Sequence, residues 1–272
     1  MTTTTNHHEI TGKADWEVAG DAWSHAAADW AYSFEPYARD AIEEVFQATG
    51  VTNGTRLLDV ACGAGLAMGR AERLGAHTAG LDAARGLLDI AARRASAGEL
   101  VRGTMFELPW ADGSFDVVVA FNGIWGGCEA AVAEIARVCR PGGWVGITFW
   151  GSPEHLDLLG YFIALGAADD ETAAEITSLA TIAKPGVAEE MLSAAGFGSI
   201  ERGTTSAILE LADDDSAWRA LRSPGLAVPA LERVGEAELR TQVLSAIEPF
   251  RAPDGSYRLA NELVHVVARK GL

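Results

Sequence analysis

The stretch that decides the fold is Leu57-Leu58-Asp59-Val60-Ala61-Cys62-Gly63-Ala64-Gly65. Its first four residues predict a short buried strand, and the two glycines that follow predict a tight turn. Residues 66–74 come next and are predicted to form a helix. A strand that passes through a glycine turn into a helix forms a crevice at the carboxyl edge of a parallel sheet, where such folds bind a cofactor. We therefore expect the rest of the chain to surround that crevice.

The composition predicts one large α/β domain without a nucleic-acid or membrane partner. The chain has 272 residues, of which 49% are hydrophobic and 22% charged, and its formal net charge is −17. That charge repels phosphate backbones and anionic lipids, and no apolar run reaches the length of about 18 residues that a membrane span needs. Cys62, Cys128 and Cys139 lack Cys-x-x-Cys spacing. We therefore predict neither a disulfide framework nor a metal site, and we expect a cytoplasmic protein.

Strands and helices alternate after the glycine turn, which is typical of an open parallel sheet. The fold class predicted is α/β, with a Rossmann-like, seven-stranded, mostly parallel sheet, helices on both faces, an N-terminal helical cover and helical insertions in the second half. After the first strand, we predict strands over 77–82, 99–104, 115–121, 144–150, 199–205 and 260–269. The predicted helices cover 84–97, 129–140, 151–184, 186–195 and two segments within 213–250.

Four segments of the chain are expected to differ in role. Residues 1–14 are predicted to be a disordered tail, 15–49 the helical cover, 50–150 the cofactor-binding core, and 151–272 the remainder of the same domain with the last strands. The cover is rich in aromatic residues. Its rings are consistent with a lid over the crevice and equally with ordinary core packing.

Four motifs, spaced over about a hundred residues, carry a family resemblance. They are Leu58-Asp59-Val60-Ala61-Cys62-Gly63-Ala64-Gly65, Gly80-Leu81-Asp82, residues 108–118 from Leu108-Pro109-Trp110 to Val118, and residues 134–143 ending in Arg140-Pro141-Gly142-Gly143. With them the chain resembles the class I S-adenosylmethionine-dependent methyltransferases, in the type 11 branch of small-molecule enzymes related to ubiquinone and menaquinone biosynthesis. The resemblance is firm from Gly54 to Trp150.

The resemblance implies S-adenosylmethionine as cofactor and assigns its contacts. The glycine turn would hold the methionine tail, and Asp82 would accept hydrogen bonds from both ribose hydroxyls. Adenine would lie at the end of the third strand, where the family's usual acidic residue is replaced by Thr104. The cofactor-binding residues predicted in this way are Ala61, Gly63, Gly65, Asp82, Ala83, Thr104, Met105, Phe106 and Phe121.

The acceptor side is less determined by the sequence. The chain lacks the Asn/Asp-Pro-Pro-Tyr run of enzymes that methylate amino groups of bases and glutamine, and has Asn122-Gly123-Ile124-Trp125 there instead. We predict a small-molecule acceptor, with an oxygen favoured as the methylated atom, and His155 and His25 as candidate bases. The predicted substrate pocket consists of Trp23, Trp30, Tyr32, Asn122 and Trp125.

Two other functions stay open from the sequence alone. A nicotinamide-dependent oxidoreductase also has a glycine turn and a strand-end acid. However, the third glycine of its motif is missing, because Ala67 and Met68 occupy that region. A protein that binds S-adenosylmethionine without transferring methyl is the second alternative, since no clear base is present. The oligomeric state is not predicted.

Overall fold

The structure is a computed structural model that describes residues 14–272, except the side chain of residue 171. The predicted tail therefore lies outside the described residues, apart from Ala14. The described chain begins with helix α1 (Asp15–Ser24), a helical turn at Ala27–Asp29, a π-helix at Trp30–Phe34 and a 3₁₀-helix at Glu35–Ala38. Helix α2 (Arg39–Thr49) follows and ends at Gly50, which takes the left-handed conformation common at helix C-termini.

The core alternates strands and helices as predicted. It consists of β1 (Arg56–Val60), α3 (Leu66–Arg73), β2 (His77–Asp82), α4 (Arg85–Arg94), β3 (Glu99–Arg102), β4 (Phe115–Phe121), α5 (Glu129–Val138) and β5 (Cys139–Trp150). Strand β4 is apolar along most of its length and central in the sheet, as expected for a strand covered on both faces.

The second half contributes helices and two long strands. A 3₁₀ turn at Pro153–His155 leads to α6 (Leu159–Ala168), α7 (Asp170–Ile182), α8 (Val187–Ala194) and β6 (Phe197–Leu211). Then come α9 (Asp214–Leu221), a 3₁₀ turn at Gly225–Ala227, α10 (Val228–Val234), α11 (Glu236–Ile247), a 3₁₀ turn at Glu248–Phe250 and β7 (Tyr257–Lys270). The helical segment predicted over 213–250 is thus divided more finely than expected.

The seven strands form one sheet in the order β3-β2-β1-β4-β5-β7-β6, and the predicted fold class is confirmed. Strands β1 to β5 pair in parallel, whereas β7 runs antiparallel between β5 and β6. The strand order reverses between β1 and β4, and that switch point is where open α/β sheets bind ligands. The glycine turn after β1 therefore lies at the expected crevice.

Two boundaries differ from the sequence prediction for identifiable reasons. Strand β5 begins at Cys139 rather than Trp144, and its register against β4 shifts between Phe115 and Val117. A Cβ at Gly143 would lie 2.8 Å from the Asp116 carbonyl oxygen, so the corner needs a glycine to approach β4. Strand β6 is about twice as long as predicted because it pairs with β7 through Leu211.

No helix within residues 14–272 is long and apolar enough to cross a bilayer. The three cysteines are buried and unpaired.

Candidate active site

A cavity of about 760 Å³ lies over the carboxyl ends of the parallel strands, a volume in the usual range for small-molecule sites. The turn after β1, the end of β2, the segment after β3 and the loop after β4 all contribute to its wall. The N-terminal segment and α6 close it from the other side. Much of the wall is aromatic, with contributions from Trp16, Trp23, Trp30, Phe34, Tyr37, Phe106, Phe121, Trp125, Phe149, Trp150, Tyr161 and Phe162.

The turn after β1 combines three left-handed residues, Ala61 (φ 57°), Gly63 (φ 54°) and Gly65 (φ 77°). Ala61 and Gly63 line the cavity, as predicted for contacts to a cofactor. Gly65 does not line it. A Cβ there would lie 2.9 Å from the Ala91 Cβ, so this glycine is needed for close packing of α3 on α4. Its predicted cofactor contact stays a prediction, and the structure shows a packing role for this residue.

Asp82 lies at the end of β2 and is almost fully buried in the cavity wall. Its Oδ2 accepts a hydrogen bond from the Gly63 N–H (2.8 Å), and its Oδ1 accepts one from the Ala84 N–H (2.8 Å). The carboxylate therefore also ties the end of β2 to the glycine turn. Burial raises the pKa of Asp82, and the two backbone N–H donors partly offset that effect.

The segment after β3, where the sequence places the adenine, lies in the cavity wall. Thr104, Met105 and Phe106 all line the cavity, as does Gly103. The Thr104 Oγ1 accepts the Phe106 N–H at 3.3 Å, so it shapes this turn. Helix α1 covers this end of the site, because Gly20 lets it approach the Ala83 backbone; a Cβ at Gly20 would lie 2.3 Å from the Ala83 carbonyl oxygen.

Glu35 is a site residue that the sequence reasoning missed. It is 7% exposed, and its Oε1 accepts the Ala64 N–H at 3.1 Å. Its Oε2 forms an ion pair with Arg94, whose guanidinium also donates to the Ala64 and Ala31 carbonyl oxygens. This pair fastens the N-terminal segment onto the glycine turn. The sequence offered no signal for it, since 59 residues separate the partners.

Glu35, Asp59 and Asp82 form a cluster of buried carboxyl groups around the turn. Burial raises the pKa of each, and for Asp59 the nearby Glu35 and Asp82 carboxylates raise it further. Arg94 opposes this rise at Glu35. The Asp59 Oδ1 has no hydrogen-bond partner among the described residues. A cation at the turn would stabilise the ionised form of these groups.

Trp30 lies at the same turn rather than on the acceptor side alone. Its Nε1 would be 3.7 Å from a Cβ on Gly63 and has no hydrogen-bond partner among residues 14–272. The ring stacks on Phe34, with centroids 5.0 Å apart, and meets Trp23 edge-on at 4.9 Å. The indole therefore faces the turn with a free donor.

The predicted acceptor residues divide into two groups. Trp23, Asn122 and Trp125 line the cavity together with Trp30. Tyr32 does not: its side chain is 64% exposed and lies under the Arg94 guanidinium.

Neither candidate base reaches the cavity. The ring nitrogens of His25 contact the Ala22 and Arg222 carbonyl oxygens, at 2.7 and 3.0 Å. His155 has a side chain that is 61% exposed, and it lies 3.4 Å from Glu262 Oε1. In the described part of the chain, no histidine, lysine or arginine lines the cavity. The structure therefore does not bring either predicted histidine base to the cavity, and the identity of a base stays a prediction.

Sheet order and site together define the class I methyltransferase fold, and the comparisons agree. The YcgJ protein of Bacillus subtilis superposes with a TM-score of 0.58 at 18% identity, covering 86% of this chain and 99% of that protein. The [4+2]-cyclase SpnF superposes with a TM-score of 0.56 at 22% identity, covering 86% of this chain and 82% of that one. At these identities the likeness concerns the fold alone.

The sequence comparison is more specific. Residues 58–147 match the family described as a methyltransferase domain, and the predicted resemblance is confirmed. An uncharacterized protein of Mycobacterium tuberculosis is 36% identical over 109 residues, 38% of this chain and 40% of that protein. The demethylmenaquinone methyltransferase of Renibacterium salmoninarum is 37% identical over 101 residues, 36% of this chain and 43% of that enzyme. The match thus spans about two-fifths of these relatives.

Proposed function

We propose that this protein is an S-adenosylmethionine-dependent methyltransferase that acts on a small, largely apolar acceptor. The observation that carries the proposal is the cluster of Glu35, Asp59 and Asp82 around the glycine turn. S-adenosylmethionine has positive charge on its sulfonium and its α-ammonium group, and buried carboxylates favour such cations. The methyltransferase-domain match over residues 58–147 supports the same cofactor.

The residues present fit this cofactor at each of its parts. Asp82 would accept hydrogen bonds from the ribose hydroxyls, and the segment Gly103–Phe106 would hold adenine. Asp59 and Glu35 do not line the cavity, and their negative charge would favour the ammonium group across the glycine turn. The free indole N–H of Trp30 would donate to the methionine carboxylate. When bound, the cofactor supplies a methyl group already activated by the sulfonium.

The chain then has to align the acceptor and exclude water, which accounts for most of the rate gain in such a displacement. The aromatic wall and the N-terminal segment fastened by Glu35 and Arg94 do this. For a hydroxyl acceptor, the sequence-based expectation, a proton must also be removed. In the described part of the chain, the ionisable groups in the wall besides Asp82 are Asp15, Glu175 and the Tyr37 and Tyr161 hydroxyls, rather than a histidine.

A nicotinamide dinucleotide fits this cavity poorly. Its anionic pyrophosphate needs the free N–H groups of a glycine turn, but here the Gly63 and Ala64 N–H groups already donate to Asp82 and Glu35. The oxidoreductase alternative is disfavoured on that ground. Binding without methyl transfer is the second alternative, and the cyclase SpnF illustrates that this fold is compatible with other chemistry.

Two measurements test the proposal in sequence. Calorimetric titration with S-adenosylmethionine should give saturable binding, whereas NADH should give none; the reverse result would refute the cofactor assignment. Because a relative is a demethylmenaquinone methyltransferase, demethylmenaquinone is the first acceptor to test. Formation of S-adenosylhomocysteine with any acceptor would exclude binding without transfer.

A further inference from the structure

Asn122 lies where β4 ends and the loop into α5 begins, in the wall of the cavity. Its φ of 55° is a left-handed value, which asparagine tolerates better than most residues. The backbone N–H of Asn122 is paired with β5, donating to the Thr148 carbonyl oxygen and to Thr148 Oγ1, both at 3.0 Å. The backbone is therefore held, and the side chain is presented to the cavity from a fixed base.

The Thr148 hydroxyl also orients the Asn122 amide. This hydroxyl is fully buried, accepts the Asn122 N–H, and donates its single hydrogen to Asn122 Oδ1 at 2.8 Å. A flipped amide would turn its NH₂ group toward that hydroxyl and deprive the hydroxyl hydrogen of this acceptor. The amide oxygen is thus consumed by Thr148, and Nδ2 is directed away from it.

The Asn122 Nδ2 lies beside the Tyr37 hydroxyl but makes no hydrogen bond of good geometry in the described part of the chain. A buried hydrogen-bond donor without a partner is unfavourable. Because this donor lies in the wall of a ligand cavity, a bound ligand can supply the missing acceptor. The chemistry needed is a hydrogen-bond acceptor, because an amide NH₂ only donates.

The surroundings restrict the rest of that ligand. Tyr37, which also lines the cavity, stacks on Trp150 with ring centroids 4.7 Å apart, and Trp150 meets Phe162 edge-on at 6.0 Å. Such rings favour a flat aromatic partner. Asp15 and Asp82 are also in the wall, so an anionic acceptor would be repelled.

We infer, within the proposed function, that Asn122 recognises the methyl acceptor by donating a hydrogen bond to an oxygen of an uncharged, planar aromatic molecule. Thr148 is the positioning residue that keeps the Asn122 amide in the donating orientation. The class of acceptor is therefore an aromatic ketone, quinone-type carbonyl or phenol, rather than a carboxylate or a phosphate ester.

The experiment compares two probes of the same shape by calorimetric titration. In 2-acetylnaphthalene a carbonyl oxygen can accept the hydrogen bond, whereas in 2-isopropenylnaphthalene a CH₂ group replaces that oxygen. The full-length protein is saturated with S-adenosylhomocysteine first. The wild type is expected to bind the ketone roughly 10-fold more tightly, the effect of one satisfied buried donor.

Three variants isolate the two residues. Asn122→Gly removes the amide and accepts the positive φ without strain, and thermal denaturation checks that the variant folds. Thr148→Val removes the orienting hydroxyl at nearly constant volume, and Thr148→Ser keeps it. The ketone preference should fall to about threefold or less in Asn122→Gly and Thr148→Val, and Thr148→Ser should retain it.

A preference above about threefold in Asn122→Gly, or none in the wild type, would overturn the inference. Failure of both probes to bind would overturn the aromatic acceptor class. If the wild type does not bind S-adenosylhomocysteine, the proposed function fails instead. The ratio of the affinities for the ketone and for the hydrocarbon probe, measured on the ligand-free protein, then still tests the role of Asn122.

Discussion

Replacing Asp82 by alanine separates a ribose-binding role from a purely structural one. In the protein alone, this change deletes the acceptor of the Gly63 and Ala84 N–H groups, each at 2.8 Å. The variant loses two charge-assisted hydrogen bonds. This loss of stability is partly offset, because the variant no longer buries a carboxylate whose pKa burial raises. We expect a net loss of about 2 kcal/mol, which lowers Tm by roughly 4–8 °C for a chain of this size.

The effect on ligand binding is measured in a double-mutant cycle, in which Asp82→Ala is combined with removal of a ribose hydroxyl from the ligand. Hydrogen bonds to a charged group contribute about 1.5–3 kcal/mol each, so loss of one ribose hydroxyl should weaken binding to the wild type by roughly 10- to 100-fold. The assay is calorimetric titration with 5′-methylthioadenosine and its 2′-deoxy and 3′-deoxy analogues. In Asp82→Ala the three ligands should bind within about twofold of one another.

The matched control is Asp89→Ala, an exposed acid on α4. It should bind all three ligands as the wild type does and should leave Tm within about 2 °C, as surface changes usually do. If Asp82→Ala still discriminates the deoxy analogues, the ribose assignment is wrong, and Asp82 acts only through the glycine turn.

Three further predictions concern the groups around the turn. Asp59→Asn should raise the free energy of unfolding at pH 8 and have little effect on it at pH 4. The pKa of Asp59 in the folded protein lies well above its unfolded value. The Asp59 carboxyl group therefore makes the wild type less stable as pH rises above about 4. Urea unfolding of the ligand-free protein at both pH values checks this, and an equal effect at both would contradict it. Glu35→Gln leaves Arg94 without its charge partner and should lower the free energy of unfolding by roughly 2–4 kcal/mol. The control Glu43→Gln, in the exposed pair with Arg70, should lower it by less than about 1 kcal/mol. Similar losses of stability for both variants in thermal denaturation would refute the role of Glu35 in fastening the N-terminal segment. Gly123→Ala places a Cβ 2.6 Å from the Ala61 Cβ and should weaken S-adenosylhomocysteine binding roughly 10-fold, because it displaces the turn. In the control Gly198→Ala the new Cβ meets no atom within 4 Å, so this variant should bind the ligand normally. Unchanged binding in both variants would show that Ala61 is not part of the site.

The parts of the fold that were predictable are those with a local signal. The apolar run of β4, the glycine turn after β1 and the acid at the end of β2 each have a pattern that a single sequence displays. The strand ends were less predictable. Strand β6 alternates exposed and half-buried polar residues along much of its length, so only its antiparallel pairing with β7 establishes its extent.

Most residues predicted to bind the cofactor line the cavity, because they follow the local signals of the strand ends, whereas other features of the site have no such signal. The role of Glu35 depends on Arg94, which is distant in sequence, and the orientation of Asn122 depends on Thr148 across two strands. Histidines were the natural base candidates by chemistry, but His25 and His155 lie outside the cavity because their segments pack elsewhere. Residue type alone indicates chemistry, and tertiary packing decides whether it reaches the site.

The most direct test of the central claim is a calorimetric titration of the full chain with S-adenosylmethionine between pH 5 and 7. The carboxyl cluster of Glu35, Asp59 and Asp82 predicts binding of one equivalent that strengthens as pH rises, by up to about 10-fold per pH unit for each proton released. Absence of binding at millimolar cofactor would contradict the methyltransferase assignment. Binding that does not change with pH would contradict the role of the carboxylates in holding the cationic cofactor.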